Sequence, residues 1–270
     1  ACIGKWGLGQ EGTPGIPTRQ GFDRFFGYLN QVHAHNYYPE WLWHNEEKVP
    51  LRNEVVHRTR GGKETLGGAA TERVDYSHDH FTEQALSFVR EHRNEPFFLY
   101  LPYTIPHANN ESRILKRHGM EIPDYGIYAN RDWPEAQKGH AAMITRLDRD
   151  VGTLLEALKA LGIEKDTLVL SSSDNGPHRE GGADPEFFDS NGPLRGMKRD
   201  LYEGGIRVPF LARWPGQIRP GTVCRHPSAF WDFLPTACET AGLPVPQGID
   251  GISYLRSEER RVGKECATGC

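Results

Sequence analysis

Long apolar runs are missing from this sequence. No stretch approaches the roughly 18 consecutive apolar residues that would suggest a membrane-spanning helix. An excess of positive charge is missing too: 32 Lys and Arg stand against 36 Asp and Glu, a net charge of −4. That excludes the basic face by which a general nucleic-acid binder holds phosphates. Cysteine is sparse. Cys2, Cys224, Cys238, Cys266 and Cys270 form no C-x-x-C pair, which excludes a zinc-finger pattern and argues against a dense disulfide framework. The opening "ACIGKWGLGQ" lacks the basic start and apolar core of a secretory signal. It begins at Ala1 rather than Met and reads like the interior of a longer sequence. With 37% hydrophobic and 25% charged residues, the composition suits a globular protein. The 30 glycines and 19 prolines point to many loops, where binding residues often sit.

Residues 1–75 carry glycine, aromatics and histidine with little periodicity and read as loops with short strands. Asp79 to His92 places Phe81, Ala85, Leu86 and Val89 at helical spacing. "PFFLYLPY" (Pro96 to Tyr103) is a short apolar run between prolines, predicting a buried strand over about Phe97 to Leu101. A helix over about Gln137 to Leu161 follows. Ile144, Leu147, Val151, Leu154, Leu155, Leu158 and Leu161 share one face, and Gly162 can end it. "DTLVLSSS" predicts a second buried strand over Thr167 to Ser171, and "RVPFLARWP" another. "SAFWDFLPTACETAG" (Ser228 to Gly242) reads as a helix with an internal proline. Strand and helix alternate in the manner of an α/β fold, with a mostly parallel central sheet and helices on both faces. In such sheets ligands bind beyond the carboxyl ends of the strands. That rule singles out His107 after one strand and Asp174 with Asn175 after the next.

The last stretch differs. "RSEERRVGKEC" (Arg256 to Cys266) is dense in charge and has no apolar face. It resembles the translation of a common sequencing adapter, with an ordinary solvated tail as the alternative. On the adapter reading residues 1–255 are one incomplete catalytic domain and 256–270 a non-native tail that packs on nothing.

Several residues are suited to chemistry. Asp174 and Asn175, in "SSSDNGPHREGG", offer two oxygens to a hard cation such as Ca²⁺, which takes six to eight. An Asx-turn that merely ends the strand would use the same pair. Lys5 in "GKWGLG" and Lys198 in "GMKRDLYEGGIRVP" lie among glycines, which let a backbone approach an anion closely. A loop lysine in water is the plainer alternative. His107, in "YTIPHAN" at a strand end, is a candidate acid–base group near neutral pH or a structural histidine. His33 and His35, in "QVHAHNYYP", either line a polar pocket or pack.

Together these stretches closely resemble the sulfatase family. The resemblance is carried by "GKWGLG", "GFDRFFGYL", "PFFLYLPYTIPHAN", "AAMITRLDRDVGTLLEALKALGIEKDTLVLSSSDNG" and "NGPLRGMKRDLYEGGIRVPFLARWPG", in the family's order and spacing, from about Gly4 to Leu255. It implies an alkaline-phosphatase-like fold and hydrolysis of aryl or carbohydrate sulfate esters. The nucleophile of such enzymes is a formylglycine made from Cys or Ser, which attacks sulfur and passes through a covalent sulfo-enzyme. The resemblance further implies one Ca²⁺, with Asp174 and Asn175 as two ligands and the remaining ligands upstream. Lys198 resembles the lysine on a sulfate oxygen and the leaving group, His107 the histidine beside the scissile oxygen, and Lys5 the lysine that supports the formylglycine. His33 and His35 become candidates for binding substrate. The implied partners are a small-molecule or glycan sulfate ester and a formylglycine-generating enzyme, in a periplasmic or secreted setting.

Two departures stand out. Many members read "GKWHLG" where this chain has Gly7, so that contact is absent or supplied by His33 or His35. The Cys/Ser-x-Pro/Ala-x-Arg motif and its aspartate pair, which lie before "GKW" in the family, do not occur in these residues. On that ground the chain alone is expected not to turn over sulfate esters. Two alternatives remain: a phosphoesterase or phosphonate hydrolase of the same superfamily, and a non-catalytic binder of sulfated glycans.

Overall fold

The computed structural model describes residues 1–255, so the adapter-like tail lies outside the described residues. By internal contacts the chain divides after Pro215, whereas the sequence reads as one domain to Leu255. Among the described residues no helix is long and apolar enough to cross a membrane.

In the first unit, strands β1 (Cys2–Lys5), β2 (Phe25–Tyr28), β3 (Trp41–His44) and β4 (Glu47–Pro50) form one sheet in that order. β1 and β2 run parallel; the other two pairs are antiparallel. Strands β5 (Glu54–Arg60) and β6 (Lys63–Glu72) form a hairpin whose two-residue turn is Gly61–Gly62, at φ 59° and 76°. Positive φ at both central positions suits a type I′ turn and strongly favours glycine. This Gly-Gly between strand-like runs is the one hairpin signal in a region that reads mostly as loop.

Helices α1 (Ser77–Glu91) and α2 (Glu135–Ala160) lie within a few residues of expectation. Phe81, Ala85 and Phe88 of α1 pack with Ile3, Phe26, Tyr28 and Leu42 of the sheet, and Leu154 of α2 joins them. The two helices are tied where His78 Nε2 meets the buried Asp150 Oδ2 at 3.0 Å. The buried face of α2 runs through His140, Met143, Asp150, Leu154 and Leu158, while Ile144 is 48% exposed. Helical periodicity finds the stripe, but the pairing of Asp150 with His78 turns it.

The stretch 97–101 is not a regular strand. It runs beside β1, opposite β2, with a single parallel bridge between Cys2 and Tyr100. Ile3 N donates to Tyr100 O and Tyr100 N to Ala1 O, both at 2.9 Å, and Lys5 N donates to Pro102 O at 2.8 Å. Pro102 cannot donate, and Tyr103 N turns back to Leu101 O at 2.8 Å, so the ladder stops. Nor is it buried on both sides. Phe97, Leu99 and Leu101 pack inward, while Phe98 and Tyr100 are exposed.

Strand β7 (Val169–Ser172) pairs antiparallel with β8 (Phe210–Arg213) in a separate two-stranded sheet. Val169 and Leu170 are only half-buried and both serines are exposed, against the expectation of a buried strand. Between these strands lies the short helix α3 (Glu203–Ile206).

In the second unit, α4 (Phe233–Thr240) is shorter than the helix read over 228–242. Pro235 sits in its first turn, where the missing N–H would have had no intrahelical partner. Asp232 holds this unit together, accepting from Ala229 N and from Ile252 N, each at 2.8 Å.

Candidate active site

Three loops build the site. His107 follows the segment beside β1. Its own N–H donates to Thr104 O at 2.9 Å, and the buried Tyr37 hydroxyl donates to its carbonyl. Its ring Nδ1–H donates to Ala108 O at 2.8 Å, which leaves the lone pair on Nε2. Lys198 Nζ donates to that nitrogen at 3.1 Å. Lys198 is carried there by backbone contacts to the loop after β7. Its N–H donates to Pro177 O, and Gly176 N donates to Gly205 O, both at 2.9 Å. Gly176 lies so close to Gly204 that a Cβ would overlap the Gly204 carbonyl. The glycines around Lys198 thus allow two loops to touch.

The third member is Glu180, which sequence reasoning does not single out. Its Oε2 accepts from Lys198 Nζ at 3.0 Å and lies 3.4 Å from His107 Nε2, while Arg199 binds Oε1. Arg199 sits at φ 80°, left-handed backbone that a non-glycine residue rarely adopts, and its guanidinium is tied to Glu180. Burial raises the Glu180 carboxyl, but the hydrogen bonds from Lys198 and Arg199 outweigh it and hold its pKa at about 2. Burial and the Lys198 ammonium press His107 down to about 4. At neutral pH the cluster is therefore ammonium, carboxylate and neutral imidazole. The proton between Lys198 and His107 rests on the lysine.

Other imidazoles surround His107. His35 stacks on it at 5.2 Å between centroids, with planes 11° apart, and its Nδ1 meets the buried Glu111 Oε2 at 2.9 Å. His178, not foreseen, lies 5.8 Å from His107. It accepts from Glu180 N–H at Nδ1 (3.0 Å) and so carries its proton on Nε2, toward Pro106 O at 3.3 Å. His33 is not brought to the cluster. It is buried against Trp41 at 4.2 Å and Tyr28 at 5.1 Å, and burial lowers its pKa to about 3. Of the two histidines expected to bind substrate, His35 is at the cluster and His33 is core. Gly7 adopts φ 78° with Gln31 against it, so a side chain there would be strained.

Lys5 ends β1, half-buried, and its ammonium has no hydrogen bond or ion pair with any described residue. Asp174 is exposed. Tyr100 is raised by burial, by Cys2 and then by Asp174, which places that carboxylate within electrostatic reach of the segment beside β1. Asn175 Nδ2 donates to Gly176 O at 2.9 Å, leaving Oδ1 available. The two oxygens fit a hard cation in kind but not in number. No group of three or more His, Cys, Asp or Glu among the described residues could complete a metal site. The strand-end rule places His107, Asp174 and Asn175 beyond the strand ends of one sheet. His107 and Lys198 do meet, but the Asp–Asn pair follows β7, which belongs to a different sheet from β1.

Chemically, a lysine poised between a carboxylate and an imidazole, with a second lysine in the same unit that pairs with no described residue, suits recognition of an oxyanion. The Sulfatase family pattern matches residues 1–243. The chain is 31% identical over 266 residues to N-acetylgalactosamine-6-sulfatase of Mus musculus, covering 94% of this chain and 45% of that protein. It is 34% identical over 190 residues to steryl-sulfatase of Mus musculus, covering 68% of this chain and 28% of that protein. The crystal structure of Ps i-CgsB in complex with k-i-k-neocarrahexaose superposes with a TM-score of 0.75 at 28% identity, over 96% of this chain and 54% of that one. The chain thus spans under half the length of these two curated relatives. It belongs to the sulfatase family, with the α/β, alkaline-phosphatase-like fold of its structural neighbours.

Proposed function

We propose that this chain carries part of the catalytic centre of an enzyme that hydrolyses sulfate esters, with a carbohydrate sulfate as the favoured substrate. The observation that carries the reading is the Lys198 ammonium, 3.1 Å from His107 Nε2 and 3.0 Å from Glu180 Oε2. In sulfate ester cleavage the S–O bond to the alcohol breaks and its electron pair goes to the departing oxygen. Lys198 opposes the charge that grows there and on the sulfuryl oxygens. An anionic ester that draws Lys198 toward itself lifts the pressure on His107 and restores its basicity, so His107 can act as general acid. Glu180 keeps Lys198 aimed, and Lys5 holds another anionic oxygen. His35, stacked on His107, would contact the substrate.

In this reading the nucleophile is a formylglycine on a segment outside these 270 residues, installed by a formylglycine-generating enzyme in a periplasmic or secreted setting. Asp174 and Asn175 would supply two oxygens to one Ca²⁺, which would draw charge from the sulfuryl oxygens when bound. The bound neocarrahexaose of the similar Ps i-CgsB structure supports a carbohydrate.

The test is hydrolysis of a nitrophenyl sulfate, a nitrophenyl phosphate and a phosphonate ester by the protein carrying a formylglycine. Sulfate turnover that falls in Lys198→Ala supports the proposal; preference for the phosphorus esters overturns it. The 270-residue chain alone should bind inorganic sulfate, less well as Lys198→Ala, without cleaving the ester. Robust hydrolysis by that chain would mean a nucleophile of another kind.

A further inference from the structure

Beside the cluster lies a cleft of about 540 Å³, lined among others by Asn110, Arg113, Arg117, His118 and Glu180. Glu180 is at once a wall of this cleft and the partner of Lys198, so the cleft and the lysine share one carboxylate. The loop that carries the basic residues is tied to the Glu180 turn, since Gly119 N donates to Gly181 O at 2.7 Å. Its volume falls in the range of small-molecule sites, far more than one sulfate group needs.

The charges in this cleft are unbalanced. Both oxygens of Glu180 are taken, by Lys198 and Arg199. Arg117 donates to the Ala70 carbonyl at 3.0 Å, and Glu121, within its electrostatic reach, is already held by Arg73 and Asn109. The Arg113 side chain is exposed and has no hydrogen bond or ion pair with any described residue. His118 is kept neutral by burial and the charge of Arg73, and Tyr125 meets its Nε2 at 3.0 Å. An arginine fork without a carboxylate, beside a second arginine, is a ready partner for an anionic oxygen pair.

Resting on the reading of Lys198 as the sulfate-binding lysine, we infer that this cleft is a subsite for a second anionic group of the substrate. The natural ligand is then an oligosaccharide bearing two anions, one sulfate at Lys198 and a neighbouring sulfate or uronate carboxylate at Arg113 and Arg117. Arg113 determines specificity without touching the reacting atoms.

The test is calorimetric titration of the 270-residue chain with oligosaccharides of equal length: unsulfated, monosulfated, disulfated, and monosulfated with one uronate. The doubly anionic ligands should bind at least about fivefold tighter than the monosulfated one at low salt, and the margin should shrink as ionic strength rises. The two doubly anionic arms tell sulfate from carboxylate. Arg113→Gln should remove the margin and leave monosulfated binding unchanged. Exposed, and without a partner among the described residues, Arg113 should be replaceable without loss of fold, which a melting curve checks. Arg113→Glu should reverse the preference. An undiminished margin in Arg113→Gln, or no margin in the parent chain, overturns the subsite. If Lys198→Ala leaves monosulfated binding intact while Arg113→Gln still abolishes the margin, the cleft stands and the assignment of Lys198 fails.

Discussion

Lys198 and Lys5 are the same side chain among glycines, and the structure treats them in opposite ways. Lys198 is held by Glu180, touches His107, and has its backbone stitched to the loop after β7. Lys5 stands at the end of β1, half-buried, with no partner for its ammonium among the described residues. The difference separates a prepositioned cation from one with no counter-charge among the described residues. A half-buried charge without a partner costs stability, which is why the proposed function gives Lys5 an anionic oxygen to hold. Lys198 is explained twice, by its network and by what that network can do.

The comparison can be sharpened in four ways. The largest effect should come from Lys198→Ala in the formylglycine-bearing protein. Removal of a donor at the developing charge should lower kcat by about 10²- to 10³-fold, and a loss under roughly tenfold would reduce Lys198 to a structural role. Acidification comes next. The folded protein holds His107 near 4, below the ordinary histidine value, so the unfolded chain binds more protons between about pH 6.5 and 4. Stability contributed there is present above that window and falls as pH drops through it. His33, near 3, and His140, near 4, act in the same direction. Together these should lower the melting temperature by several degrees from about pH 7 to pH 5. A flat profile would contradict the buried, neutral histidines. Glu180 adds its own loss only at lower pH, below the ordinary glutamate value and down to about 2.

Third, Glu180→Gln should leave Lys198 and Arg199 without their carboxylate and cost about 1–3 kcal/mol in denaturant unfolding. It should also lower the proton affinity of His107 further, since a charge that raises it is removed, and NMR titration of the imidazole reads that shift. An unmoved titration would mean that Glu180 does not act on His107. The smallest effect should be Lys5→Met. Unfolding stability should change by under about 1 kcal/mol or rise, since no pair is broken. Thermal stabilisation by added sulfate should shrink. A large loss of stability would show that Lys5 has a partner after all and erase the contrast with Lys198.

Much of the frame is legible in the amino-acid order alone. Periodicity locates α1 and α2, proline and glycine bracket β7 and β8, and strand ends point to His107 and to the Asp174–Asn175 pair. These signals are local: the spacing of apolar side chains dictates which face of a helix can be buried. Even there, tertiary pairing overrules the count, as when Asp150 takes a buried place opposite His78 and Ile144 is left outside.

What only the tertiary structure decided is which distant residues meet. Glu180 and His178 carry no mark in "GPHREGG" that separates them from ordinary loop residues. They matter because glycine contacts fold that loop against Lys198 and the Pro106–His107 loop. His33 and His35 are two residues apart in one short motif, yet one turn of chain sends the first into the core and the second onto His107. The sequence by itself determined the residue types, the family likeness and the positions of the long helices, because those depend on near neighbours along the chain. The partners of Lys198, the lack of a partner for Lys5 among the described residues and the pairing of β7 with β8 depend on residues tens of positions away, whose approach is set by backbone packing.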